Sequence, residues 1–356
     1  MKRTLLALSG VMLIALSASA CTDFQVKARD GSVIIARSME FAIELNSEVV
    51  AFPRGGSYTS VNEKGAKGIS WTAKYGFLGV NAFGMQDAVL DGMNEAGLSI
   101  EFLWFPGSVY QKAVPGKFIE VTDMSRWILG SFATVDEVKK AVTGVKVVGS
   151  YIPQLKQSPG LHCAVHDAKG NNIVIEFIDG KTRVHDNPLG VMTNRPTLDW
   201  HLDNLRNYFA LSSEDISSRQ LGRMKLPSTG AGNSWLGLPG DWTPPSRFIK
   251  AAYFVHSAPP ARDAKEALTF ARHVMNSIDI PYGLIKEHVA GRTVYGYTQW
   301  VVLKDLSQRV LYYYSYEDAA LKQIDMKKLN FAAGSAVKAV PVEGHAPTAD
   351  VTSKLI

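Results

Sequence analysis

Two cysteines occur in this chain of 356 residues, and one of them, Cys21, stands directly after Ala18-Ser19-Ala20. Lys2 and Arg3, an apolar run from Leu5 to Leu16 and the small residues that follow have the pattern of an export leader, residues 1–20. Cleavage after Ala20 would make Cys21 the first residue. A terminal cysteine holds a nucleophile and a base on one residue. Its α-amine titrates near ~7.7 to 8.0 and a free thiol near ~8.5, so proton exchange between them at neutral pH is close to balanced. A fixed cation would draw the thiol further toward thiolate. Arg37 lies on the segment that an Asp30-Gly31 turn folds back beside Cys21. Two other readings of Cys21 compete with this one. The first is a lipid-bearing anchor, against which Ala18 speaks, since such sites take a large aliphatic residue at that place. The second is a disulfide with Cys163, or a plain core thiol.

The elements that must position such a group read as strands first. Phe24 to Ala28, Val33 to Ala36, Val49 to Phe52 and Leu98 to Trp104 are rich in β-branched and aromatic residues, with turn residues between them. Helical periodicity covers Phe118 to Val142, where Thr134 and Glu137 have capping-box spacing, and a second helix fits "ARDAKEALTFARHVMNSI" before Pro281. Strands return in "HCAVHDAKGNNIVIEFIDGKTRVHD", which places Cys163 in a strand as a buried, inert thiol, and again in "TVYGYTQWVVLKD" and "RVLYYYSYE". Strand blocks separated by helix blocks predict layered α and β with a mainly antiparallel core.

No linker or repeat divides the chain, so residues 21–339 read as one domain, followed by a C-terminal arm or disordered tail, residues 340–356. Losing Lys2 and Arg3 lowers the formal charge from +5 to +3, that is 36 basic against 33 acidic residues. Those charges are interspersed, which argues against a nucleic-acid partner. No later run of about 18 apolar residues would insert stably in a membrane. His162 and His166, four apart in a strand, share a face but lie too far apart along it to grip one metal, and no metal or other cofactor is expected.

"CTDF", "DGSVIIARSMEF", "DGMNEAGLSIEFLWFPG", "GVMTNRPTLDWHLDNL" and "LPGDWTPPSRFIKAA" follow one another in this order between Cys21 and about Phe254. Together they resemble the choloylglycine hydrolase family of bile salt hydrolases and penicillin V acylases. The separations from Cys21, 16 positions to Arg37, 173 to Asn194 and 226 to Arg247, match those of the family. The resemblance implies an N-terminal nucleophile hydrolase: an α+β, four-layer αββα fold with two stacked, mainly antiparallel sheets, cleaving a linear non-peptide amide through a thioester.

Carried over residue by residue, the resemblance makes Cys21 the nucleophile, with Arg37 holding its thiolate. Glu40 stands where the family has Asp and would orient the amine. Asn194 would give a side-chain oxyanion donor, Trp104 a backbone one, and Arg247 would stabilise charge nearby. Phe41, Trp104 and Phe105 would wall the acyl pocket, and Asp91 would be structural. The resemblance further implies a small-molecule amide substrate and a homo-oligomer, commonly a tetramer. With the leader, it points to the exported, Gram-negative penicillin V acylase-like branch, periplasmic or secreted, with acyl homoserine lactones as further candidates and conjugated bile acids ranked lower.

Overall fold

The computed structural model describes residues 20–289, 291–344 and 353, so the leader and most of the arm lie outside the described residues. Strand β1 (Cys21–Lys27) turns at Asp30-Gly31, where Gly31 takes a φ of +88°, and returns as β2 (Val33–Phe41). Every residue of β2 is buried. Side chains alternate across a strand, so such a strand must be covered on both faces. Val33, Ile35, Met39 and Phe41 join Trp300 and Val302 in one core, while Ile34 and Ala36 join Val301 and Leu303 in the other.

The first core lies between two sheets. One has seven strands: six run in the order 191–192, β1, β2, 292–305, 310–315, 322–325, and 285–289 pairs with 292–305 off this path. The other has eight, in the order 181–186, 172–178, 161–167, 98–104, 85–94, 77–82, 48–52, 338–341. Every pairing within these two sheets is antiparallel.

Among the described residues, five α-helices complete the layers. α1 (Met124–Ser131) and α2 (Val135–Val142) cover the eight-stranded sheet. α3 (Leu198–Asn204) packs on α4 (Pro244–Ser257), which with α5 (Ala264–Asn276) covers the seven-stranded sheet and encloses the second core. The result is the expected αββα sandwich.

Two expectations need correction, and one rival reading falls away. The helix read over residues 118–142 is instead a short strand at 118–120 paired with 146–148, a 3-10 turn, α1, and then α2 after a break at Phe132. The capping box at Thr134 explains the break: it starts a new helix, and Phe132 before it is extended. The start of the arm is not free chain, since 338–341 form an edge strand on 48–52 and Val342 is fully buried. Cys21 and Cys163 are not bridged; both thiols are free.

The capping box supplies the first prediction. Thr134→Ala should lower stability by about 1 kcal/mol in chemical denaturation and leave turnover unchanged, because α2 lies on the far side of the eight-stranded sheet from β1.

Candidate active site

Cys21 opens β1, and its thiol lies in the core between the sheets, with 2% of its surface exposed. Register places it opposite Met39 on β2, with Asp23 opposite Arg37. Alternation keeps Cys21, Asp23, Arg37 and Met39 on the same face. Arg37 Nη2 reaches Cys21 Sγ at 3.8 Å, Met39 Sδ at 3.6 Å and the carbonyl of Phe102 at 2.8 Å, while the guanidinium lies over the Trp300 ring at 4.5 Å. The cation is thus held by an aromatic face and a carbonyl beside the sulfur.

The backbone of Cys21 is gripped from the other side. Its N–H donates to Asn194 Oδ1 at 2.8 Å, and its carbonyl accepts from Arg247 Nη1 at 2.6 Å. Arg247 projects from α4, a helix started by Pro244-Pro245 in its first turn. The guanidinium also donates to Thr22 Oγ1 at 2.6 Å and, through Nη2, to Asn194 Oδ1 at 2.6 Å. Asn194 Nδ2 donates to the Trp104 carbonyl at 2.8 Å, which leaves its second hydrogen unengaged.

Trp104 pairs with Leu161, but the Leu161 N–H goes to the Tyr110 hydroxyl and the Trp104 carbonyl goes to Asn194. The Trp104 N–H shares an edge with its own carbonyl and so points to the same side as Asn194. The Trp104 N–H and the second Asn194 hydrogen are thus two donors on one side of this strand edge. His201 of α3, missed in the sequence, fixes one of them. Its ring stacks on Phe248 and its Nε2 donates to the Asn194 carbonyl at 2.9 Å. Burial pushes its pKa down to about 4, which keeps the imidazole neutral.

Glu40 projects toward the helix side of β2. Its Oε1 accepts from Thr298 Oγ1 at 2.9 Å, and its backbone N–H donates to the Ala20 carbonyl at 2.9 Å. Burial raises the carboxyl to about 7, against the pull of the Arg247 cation and the Thr298 hydrogen bond. A carboxyl poised there can exchange a proton at neutral pH.

A cavity of about 650 Å³, including its mouth, opens over Cys21. Met39, Phe41, Phe83, Phe102, Trp104, Val121, Ile152, Leu155 and Leu161 are among the residues that line it with Cys21. Phe41 meets Trp104 edge to face at 5.8 Å and Phe83 at 6.4 Å. Phe105 is not in this wall. It follows Trp104, so alternation turns it to the opposite face, where it packs on His162 at 4.8 Å. Phe83, Ile152 and Leu155 carry no local signal of a pocket, since loops bring them there.

Among the described residues, Asp23, Glu101 and His166 bring ligand-type atoms within 4.8 Å of one another. The Lys304 ammonium already sits on Glu101 at 2.5 Å and on Asp91 at 2.7 and 2.8 Å. With positive charge supplied by the protein, the trio belongs to a buried ion-pair cluster and not to a metal centre. Asp91 thus has the structural place expected of it. Cys163 is fully buried, and burial pushes its thiol well up, the state of an inert cysteine.

An αββα sandwich with a cysteine at the head of an inner strand, a cation on its sulfur and an asparagine on its main-chain nitrogen has the make-up of an N-terminal nucleophile hydrolase. Residues 21–339 match the linear amide C-N hydrolases of the choloylglycine hydrolase family, and the chain belongs to that family, whose members hydrolyse linear amides. It is similar to the bile salt hydrolase/transferase of Clostridium perfringens, 33% identical over 318 residues, which are 87% of this chain and 93% of that one. It is also similar to the penicillin V acylase of Pectobacterium atrosepticum, 30% identical over 368 residues, 95% of this chain and 90% of that one. Among solved structures, the mutant conjugated bile acid hydrolase from Clostridium perfringens aligns with a TM-score of 0.81 at 30% identity, covering 93% of this chain and 99% of the other.

The state of Glu40 can be read from stability. Its folded value of about 7 lies above the ordinary 4.5, so the folded chain retains a proton that the unfolded chain has lost between those limits. Stability from this group is fully present below about pH 4.5 and falls as pH rises through 7. Thermal melts of the native chain against Glu40→Gln should show the native chain losing ground to the variant across that window and no further change above it.

Proposed function

We propose that this protein is an exported cysteine amidase that becomes active when cleavage after Ala20 frees the α-amine of Cys21. The observation that carries the reading is the place of Cys21: its sulfur opens into an apolar cavity while its main-chain nitrogen is held by Asn194. In the freed enzyme the amine takes the thiol proton and the sulfur attacks the amide carbonyl. The oxyanion meets the second Asn194 hydrogen and the Trp104 N–H, a contribution of about 10²-fold or more per donor. The ammonium then protonates the leaving amine, a thioester remains, and water hydrolyses it to the acid and the free enzyme. Arg37 stabilises the thiolate, and Arg247 fixes Asn194 and the Cys21 carbonyl in position. Among the described residues, no helix is long and apolar enough to cross a membrane.

For the acyl group we favour an aryl or alkyl chain, as in phenoxyacetyl β-lactams and acyl homoserine lactones. Apart from Cys21, Thr122 and the indole N–H of Trp104, unpartnered among the described residues, the cavity lining is apolar, which suits an aryl or alkyl chain. Conjugated bile acids are the second reading, supported by the bile salt hydrolase among the relatives.

Amine release should be measured side by side from penicillin V, a long-chain acyl homoserine lactone and a glycine-conjugated bile acid. We expect cleavage of one of the first two, loss of all turnover in Cys21→Ala with folding intact, and a fall in kcat of ~10² in Asn194→Ala with KM little changed. Release from the bile acid alone would establish the second reading. Full activity of Cys21→Ala would overturn both.

A further inference from the structure

Asp23 faces Arg37 directly across the β1–β2 ladder, the arrangement in which opposite charges ordinarily pair. No ion pair links them. Asp23 Oδ2 is engaged instead by His166 Nε2 at 2.8 Å, and the same nitrogen lies 3.6 Å from Glu101 Oε2. Arg37 meanwhile keeps Nε and Nη1 without a hydrogen-bonding acceptor among the described residues and directs Nη2 to Phe102 and Cys21. A buried guanidinium with two free donors beside a buried carboxylate is unusual. Asp23 Oδ1 is likewise buried without a hydrogen-bonding partner among the described residues, so the two unpartnered groups face each other across the ladder while His166 holds the other carboxylate oxygen.

We propose that His166 is a positioning residue that sequesters Asp23, so that the Arg37 guanidinium stays on the sulfur of Cys21 and does not fold back into a cross-strand ion pair. This rests on Cys21 being the nucleophile. The groups facing His166 support the assignment from every side. Asp23 comes from β1 and Glu101 from the 98–104 strand; Lys304 lies behind Glu101 and Asp91 behind Lys304, all fully buried. Arg37 lies across from Asp23 on β2. On the neighbouring strand Glu176 is turned to His162 and His185, further along the sheet.

Burial alone would strip the His166 proton, but the Asp23 and Glu101 carboxylates outweigh it and hold the imidazolium above its ordinary range. With that proton the set closes: Asp23, Asp91 and Glu101 against Arg37, Lys304 and His166. Losing the proton would leave one carboxylate in excess, and Arg37 is the cation with free donors to receive it.

The test reads the thiol without needing a substrate. The rate of Cys21 alkylation by iodoacetamide is followed against pH by mass spectrometry, with buried Cys163 as the internal control. His166→Gln keeps an amide donor but removes the charge, and should raise the pH midpoint of Cys21 reactivity by roughly one unit, with about a tenfold loss of kcat/KM at neutral pH. Adding Asp23→Asn removes the competitor for Arg37 and should return the midpoint most of the way to that of the native chain. A merely structural role predicts no such rescue, because the double variant would be at least as damaged as the single one. An unmoved midpoint in His166→Gln, or a double variant no closer to the native chain, overturns the proposal. Should His166→Gln fail to fold, nitrogen chemical shifts of His166 in the native chain decide: an imidazolium at neutral pH supports the assignment and a neutral ring refutes it. A normal midpoint shift in a protein that releases no amine would separate failure of the amidase reading from failure of this one.

Discussion

A guanidinium buried between two sheets has to be compensated, and the arrangement around Cys21 follows from how this chain does it for Arg37. Removing such a charge from water costs several kcal/mol even after relaxation. Here the return comes in pieces, from a carbonyl at 2.8 Å, the face of Trp300 and the sulfur itself. None of these neutralises the cation as a bidentate carboxylate would. Arg37 therefore keeps positive potential at the sulfur in a water-poor setting, where it counts for more than it would at a surface.

The two faces of β1 divide the labour. Toward the second sheet lie the sulfur, the Arg37 cation and the compensating charges. Toward the helices lie Thr22 and the grip of Arg247 on the Cys21 carbonyl. Asn194 bridges the two, because its Oδ1 takes both the Cys21 N–H and Arg247 while its Nδ2 is anchored on Trp104. Neutral His201 holds the asparagine backbone in turn. Orientation is over-determined, as a site that depends on sub-ångström placement requires. The Glu40 carboxyl, on the helix side of β2, is held by Thr298 and lies under the field of Arg247.

The sequence by itself determined the layers and the identities of the chemical groups. Alternation in β1, β2 and the 98–104 strand and the capping box at Thr134 are local signals, each readable within about ten residues. The roles of Cys21, Arg37, Glu40, Trp104, Asn194 and Arg247 came from the family resemblance that five motifs carry in order; the structure brings Arg37 to the Cys21 sulfur, Asn194 and Arg247 to its backbone and Trp104 to Asn194, while the Glu40 carboxyl turns to Thr298 on the helix side. Periodicity over-reached at residues 118–142, where one apolar pattern hides a strand, a turn and two helices, because short apolar runs do not distinguish these states.

Only tertiary structure decided what depends on pairing between distant strands. Trp300 beneath Arg37, His166 on Asp23 and Lys304 between Asp91 and Glu101 join residues separated by more than a hundred positions. Register sets these meetings, and a slip of one residue would send each side chain to the other face. The same rule explains Phe105, which has the composition of a pocket residue but follows Trp104 by one place and so faces away. Residue type is written in the chain; which carboxylate a buried cation meets is fixed only when the two sheets close on each other.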